Sequence, residues 1–176
     1  ADRVKPETKT LISQLKDMGV TPILLTGDQE KTARYVASQV GIERVIANCL
    51  PTDKASIIQE LQKEYASVGM VGDGINDAPA LAQANVSYAM GSGTDIAMES
   101  ADIVLMEDLT RIPYSIRLSK KMRGIIKQNI IFALSVIAVL IISNLFQSIN
   151  LPLGVVGHEG STILVILNGL RLLYFK

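Results

Sequence analysis

Gly72-Asp73-Gly74-Ile75-Asn76-Asp77-Ala78-Pro79-Ala80-Leu81 is the stretch on which the reading of the whole chain turns. Two carboxylates, Asp73 and Asp77, stand in a glycine-bearing turn. Glycine lets the backbone approach a ligand closely, and its amides can hold an anion. Carboxylate oxygens are hard ligands that suit Mg²⁺, which commonly binds through one or two carboxylates plus phosphate oxygens. The apolar run Val68 to Val71 leads into the turn as a strand, and Asn76 to Ala84 reads as a short helix leaving it. An ordinary surface turn accounts for a lone Gly-Asp pair. It does not account for so long and specific a string.

Outward from that turn, strands and helices alternate. Pro6 stands where a first-turn proline belongs, Leu11, Ile12, Leu15 and Met18 recur at helical spacing, and Gly19 ends that helix. Val20 to Leu25 reads as a buried strand stopping at Thr26-Gly27-Asp28. A helix from Glu30 to Val40 ends at Gly41, and Arg44 to Ala47 forms a weak strand. Thr52 is placed to cap a helix from Asp53 to Tyr65. Val86 to Met90 and Ile103 to Met106 are further strands. This alternation predicts βαβ units in one parallel α/β sheet of Rossmann-like type, with ligands at the carboxyl ends of its strands. Both carboxylate-bearing turns fall at such ends. Thr26 offers a hydroxyl to a phosphoryl oxygen, and Lys54, in Pro51-Thr52-Asp53-Lys54, offers a compensating charge.

The last quarter changes solvent. Of 34 Asp, Glu, Lys and Arg residues, 31 precede Asn129 and only Glu159, Arg171 and Lys176 follow. Ile130 to Ile149 is a run of 20 residues without a charge, and as a helix it spans about 30 Å, the thickness of a bilayer core. A second apolar stretch runs from Leu151 to Phe175, with Asn150-Leu151-Pro152 as the turn between. Arg111, Arg117, Lys120, Lys121, Arg123 and Lys127 precede the first span, Arg171 and Lys176 close the second, and the link is uncharged. By the positive-inside tendency the spans form a hairpin with both ends in the cytosol. The expected organisation is a cytosolic domain over 1–108, a basic membrane-proximal helix over 109–129, and two transmembrane helices over 130–149 and 151–175.

Within the second span, His158 and Glu159 lie about 10–12 Å from its outer end. An ionisable group at that depth is costly and marks function. Imidazole suits Zn, Cu, Fe and Ni, and carboxylate suits harder divalent ions. Neighbouring helical residues point about 100° apart, so both facing one ion requires bending, for which Gly154, Gly157 and Gly160 provide the means. Ser161, Thr162 and Asn168 are placed either to complete a metal site or to hold helices together, with packing the favoured role for Asn168.

Composition sets the outer bounds. Equal numbers of cations and anions, 17 each, argue against a nucleic-acid partner. A hydrophobic share of 48% and mean hydropathy of +0.31 exclude a disordered chain. The lone Cys49 excludes a disulfide scaffold and a multi-cysteine zinc site, and suits a cytosolic setting.

Taken in order, Thr26-Gly27-Asp28, Lys54 and the string from Gly72 to Leu81 resemble the phosphorylation domain of P-type ATPases, within the haloacid-dehalogenase-like superfamily. His158-Glu159-Gly160-Ser161-Thr162 and Asn168-Gly169-Leu170-Arg171-Leu172-Leu173 resemble the heavy-metal-exporting branch, most like its cobalt, iron or zinc exporters. The resemblance implies ATP and Mg²⁺ as cofactors, Asp73 as a Mg²⁺ ligand, and Asp77 as a second ligand or its support. It also implies Thr26, Gly27, Asp28, Lys54 and Asn76 around an acyl phosphate, and His158, Glu159, Ser161 and Thr162 around a transported divalent metal. It implies a multi-pass protein of the cell membrane, embedded in the lipid bilayer. Asp2-Arg3-Val4-Lys5 resembles the hinge motif, with Lys5 for its arginine, and lysine lacks the forked contact. The family's nucleophile lies in an Asp-Lys-Thr-Gly-Thr motif, and no such string occurs here. The expectation is therefore a C-terminal part of an exporter whose upstream part supplies the nucleophile and nucleotide-binding domain, inactive by itself. The alternatives are a membrane-anchored phosphatase of the same superfamily and a non-catalytic binding module.

Overall fold

Short apolar runs separated by amphipathic stretches fold as that alternation dictates. A computed structural model describes residues 6–106, 108–146 and 151–175. Two units are present, one up to Pro113 and one from Tyr114 onward. The first contains α1 (Pro6–Asp17), β1 (Ile23–Leu25), α2 (Glu30–Val40), β2 (Arg44–Ile46), α3 (Asp53–Glu64) and β3 (Gly69–Gly72). A 3-10 turn (Ile75–Asp77), α4 (Ala78–Gln83), β4 (Val86–Met90), α5 (Asp95–Glu99) and β5 (Ile103–Leu105) follow. Gly41 closes α2 in the left-handed region at φ 81°, a conformation glycine adopts without the Cβ penalty.

All strand pairing is parallel. β1 pairs with β2 from Ile23 opposite Arg44 to Leu25 opposite Ile46. β3 pairs with β4 from Gly69 opposite Val86 to Gly72 opposite Ala89, and β4 with β5 from Tyr88 opposite Ile103 to Met90 opposite Leu105. The parallel α/β architecture therefore stands, but as two ladders, β1-β2 and β3-β4-β5, where one continuous sheet was expected. Among the described residues no ladder joins β1 to β3, so each presents an edge without a strand neighbour. Both ladders nevertheless share one core. Ile58 and Leu61 of α3, Met70 of β3, Ala80 and Leu81 of α4, Ala89 of β4 and Ala97 of α5 are buried together, and Ile23, Leu25 and Ile46 pack against them.

Two local expectations are corrected and one element is added. Thr52 does not cap α3: its backbone is already helical and its hydroxyl donates to Asp53 Oδ1 at 3.2 Å. The helix expected from Asn76 is split into the 3-10 turn and α4. The short α5 was not anticipated from sequence. Thr94 caps it, its hydroxyl accepting from Ala97 N–H at 3.3 Å.

The second unit holds most of α6 (Arg111–Leu145), then α7 (Leu151–Leu170) and a 3-10 turn (Arg171–Tyr174). One helix of 35 residues, about 52 Å long, carries both the basic run and the first apolar run. Both helices are long and apolar enough to cross a membrane. Ile130, Ile131, Leu134, Val139, Ile141 and Leu145 of α6 are exposed, as are Val155, Val156, Ile163 and Leu167 of α7. α6 and α7 are tied by polar side chains: Asn168 Nδ2 donates to Asn129 Oδ1 at 2.8 Å, and Asn129 Nδ2 to the Val165 carbonyl at 3.4 Å. The helix-packing role expected of Asn168 is thus observed. α7 is unbroken through its glycines, so the local unwinding that Gly154, Gly157 and Gly160 permit is not observed. The hinge-like residues 2–5, Asn150 of the interspan turn and Lys176 lie outside the described residues.

Candidate functional site

The carboxylate turn begins where β3 ends. Asp77 occupies the cap position of α4 but makes no side-chain cap bond. Its Oδ1 instead accepts from Lys54 Nζ at 2.6 Å and its Oδ2 from Asp73 N–H at 3.4 Å. The Lys54 and Asp77 side chains are only 16% and 12% exposed. An ion pair so withdrawn from water persists because each charge compensates the other's desolvation. Gly72 makes this approach possible: a Cβ there would lie 2.6 Å from Asp77 Cβ.

Asp73 is held differently. Thr94 N–H donates to the Asp73 carbonyl at 3.0 Å, and a Cβ on Gly93 would lie 2.5 Å from that oxygen. The backbone of Asp73 is thus fixed from two sides, by Asp77 and by Thr94. Its carboxylate is exposed and makes no hydrogen bond or ion pair among the described residues. Sequence reading missed Gly93 and Thr94 as supports of the turn. The signal was there, in a glycine followed by a capping threonine ahead of Asp95-Ile96-Ala97. Asp73 and Asp77 border a cleft of about 440 Å³ that α1 closes with Glu7, Thr8 and Leu11.

Thr26, Gly27 and Asp28 form the corresponding turn at the end of β1. Thr26 N–H donates to the Ile46 carbonyl at 3.0 Å and Cys49 N–H to the Thr26 carbonyl at 3.1 Å. Asp28 N–H donates to Thr26 Oγ1 at 3.1 Å, so the hydroxyl keeps its own proton to donate. Gly27 backs onto the Cys49 carbonyl, 3.2 Å from where its Cβ would lie. Asn76 is exposed on the 3-10 turn. The structure therefore brings Lys54, Asp73 and Asp77 into one bonded group. Among the described residues no hydrogen bond links Thr26 or Asp28 to that group.

In the second unit, His158 and Glu159 are exposed on regular α7. Ser161 Oγ donates to the His158 carbonyl at 2.6 Å and Thr162 Oγ1 to the same oxygen at 3.3 Å. Among the described residues no three His, Cys, Asp or Glu side chains cluster to hold a metal ion. The donor set at Asp73 still fits Mg²⁺, which takes one or two protein carboxylates and completes its shell with water and phosphate.

Parallel strands ending in carboxylate turns define a haloacid-dehalogenase-like fold, and the family model described as haloacid dehalogenase-like hydrolase matches residues 1–85. A zinc-transporting ATPase of Bacillus subtilis is 54% identical over 173 residues, covering 98% of this chain and 27% of its relative. A probable cobalt/nickel-exporting P-type ATPase of Mycolicibacterium smegmatis is 45% identical over 176 residues, covering 98% and 27%. A crystal structure of a zinc-transporting PIB-type ATPase in its E2·Pi state matches with a TM-score of 0.92 at 38% identity, over 98% of this chain and 28% of that one. The chain belongs to the P-type ATPase family. It spans about a quarter of the length of the curated relatives it matches.

Proposed function

We propose that this chain is the C-terminal portion of an ATP-driven exporter of a divalent heavy metal of the cobalt, iron or zinc class, cycling through an aspartyl phosphate. The observation that carries the reading is the division of labour between two carboxylates. Asp77 is neutralised by Lys54 and positions the backbone of Asp73, while the Asp73 carboxylate stays exposed at the cleft. In this reading Asp73 is the Mg²⁺ ligand and Asp77 its support. Bound there, Mg²⁺ offsets phosphoryl charge during transfer. Thr26 donates its hydroxyl to a phosphoryl oxygen, aided by the Gly27 backbone. Asp28 orders that turn, and Asn76 lines the phosphorylated site. Lys54 balances the charge of Asp77.

The nucleophilic aspartate comes from an upstream segment of the same transporter. The unpaired edges of β1 and β3, in a unit where both strands pack on one core, leave a place for such a segment between the Thr26 and Asp73 turns. α6 and α7 cross the cell membrane as a hairpin with the first unit and the C-terminus in the cytosol, as the basic residues of α6 require. Their exposed apolar faces then meet lipid and the remaining spans. His158 and Glu159, with Ser161 and Thr162, bind the transported metal.

Incubation with labelled ATP and Mg²⁺ tests the reading. The intact transporter acquires acid-stable, hydroxylamine-labile label that Asp73→Asn abolishes, and this chain alone acquires none. Label on the isolated chain, or unimpaired labelling of intact Asp73→Asn, defeats it.

A further inference from the structure

From Leu109 to His158 the chain has no acidic residue, yet it carries Arg111, Arg117, Lys120, Lys121, Arg123 and Lys127. A topology signal needs only the count and place of these charges. The structure adds shape. In the second unit, Lys121 of α6 and Arg171, Tyr174 and Phe175 beyond α7 enclose a groove of about 320 Å³. Arg171 and Tyr174 begin and end the closing 3-10 turn, in which positions three apart eclipse, so both side chains leave on one side. Arg171 Nη1 donates to Asn168 Oδ1 at 2.9 Å, and Asn168 is itself bonded to Asn129, so the guanidinium is aimed from the helix interface. Phe175 is held by the Tyr114 ring, 5.8 Å between centroids. Among the described residues Lys121 has no anionic partner and no carboxylate lines the groove.

We propose that this groove binds the phosphate of an anionic phospholipid from the cytosolic leaflet. The fork of Arg171 and the ammonium of Lys121 complement a phosphate from two sides. Tyr174 is 86% exposed, with a ring suited to the headgroup level and a hydroxyl to donate. The exposed apolar faces of α6 and α7 run on from the groove where acyl chains would lie. Basic pockets between transmembrane helices on the cytosolic side are suited to such headgroups. The inference rests on the membrane reading of α6 and α7.

The test uses the intact protein, floated with vesicles of phosphatidylcholine alone or of phosphatidylcholine with phosphatidylglycerol. Lipid retained after detergent extraction is then counted by mass spectrometry. Expected is selective retention of phosphatidylglycerol, unaffected by millimolar inorganic phosphate. Retention falls about fivefold for each cation removed in Lys121→Gln and Arg171→Gln and is unchanged in Arg123→Gln, which lies outside the groove. Lys121→Gln removes no bond among the described residues, so it carries the test if Arg171→Gln folds poorly. Equal losses in all three variants, displacement by inorganic phosphate, or no preference for phosphatidylglycerol overturns the proposal. Failure to float with either vesicle overturns the membrane reading itself, a separate result.

Discussion

Lys54 Nζ lies 2.6 Å from Asp77 Oδ1, joining the first turn of α3 to the start of α4 across 23 residues. Removing one member leaves the other's charge in a site nearly closed to water, which costs about 3–5 kcal/mol. Asp77→Ala and Lys54→Met should each lower the unfolding free energy by that order. The double variant should lose clearly less than the sum. Thermal or urea unfolding of the four proteins in a double-mutant cycle measures the coupling, and strict additivity would show that the pair is not an interacting unit.

Gly72→Ala should mimic the loss of Asp77 without touching its charge. The new methyl would lie 2.6 Å from Asp77 Cβ, closer than packed carbons approach. The turn must shift, at a cost of about 1–3 kcal/mol. The shift pulls Asp77 from Lys54, so phosphoenzyme formation in the intact transporter should fall with stability. A fully stable, fully active Gly72→Ala would show that the contact is relieved elsewhere.

Asp73→Asn should separate chemistry from folding. The Asp73 carboxylate is exposed and makes no bond among the described residues, so its neutralisation should leave the melting temperature within a degree or so of wild type, as for surface changes generally. Mg²⁺-dependent phosphorylation should fall by about two orders of magnitude or more, the scale of losing a preorganised charge at a reacting phosphoryl group. Parallel melting curves and labelling assays check both halves of the prediction.

The alternation of elements and the position of the Asp73 turn at the end of β3 were legible because apolar spacing and a long glycine-carboxylate string are local features. Three things were not. The division of the strands into two ladders depends on which edges meet, and β1 and β2 are only three residues each. The Lys54–Asp77 bond spans 23 residues, beyond the reach of any spacing rule. The 3-10 turn ahead of α4 has no periodicity signature over its three residues. In the second unit the apolar runs revealed the helices. The Asn129–Asn168 link depends on how they pack, and only a packing role for Asn168 was foreseen.

Acid should loosen the first unit through two surface pairs. A hydrogen bond from Lys16, reinforced by its charge, holds the Glu43 carboxyl below its ordinary value of 4.5. A hydrogen bond from Arg44 does the same for Glu64, against some desolvation. A carboxyl with a depressed folded-state value stabilises the fold above its unfolded-state value. That contribution is lost as pH falls from about 4.5 through the lowered folded-state value. Glu43→Gln and Glu64→Gln should flatten the acid limb of a plot of urea midpoint against pH, and change little at pH 7 because both pairs are solvated. An unaltered acid limb in the double variant would assign acid sensitivity to other groups.

The metal-binding role proposed for α7 meets a continuous helix, without the local unwinding that its glycines permit. At about 100° per residue, His158 and Glu159 project from neighbouring faces, while Ser161 and Thr162 both return their hydroxyl protons to the His158 carbonyl. Each hydroxyl oxygen keeps lone pairs for a cation, but neither can swing freely. Glu159 is therefore expected to contribute most, as the one anionic oxygen donor of α7. Glu159→Ala in the intact transporter should reduce metal-stimulated ATP hydrolysis by about tenfold or more, and His158→Ala should shift the order in which metals stimulate it, since imidazole favours the softer ions. Ser161→Ala should have a smaller effect, because its hydroxyl proton is already committed to the backbone. Stimulation profiles across cobalt, iron, zinc and cadmium decide the matter: unchanged profiles in both Glu159→Ala and His158→Ala would move the metal site off α7 altogether.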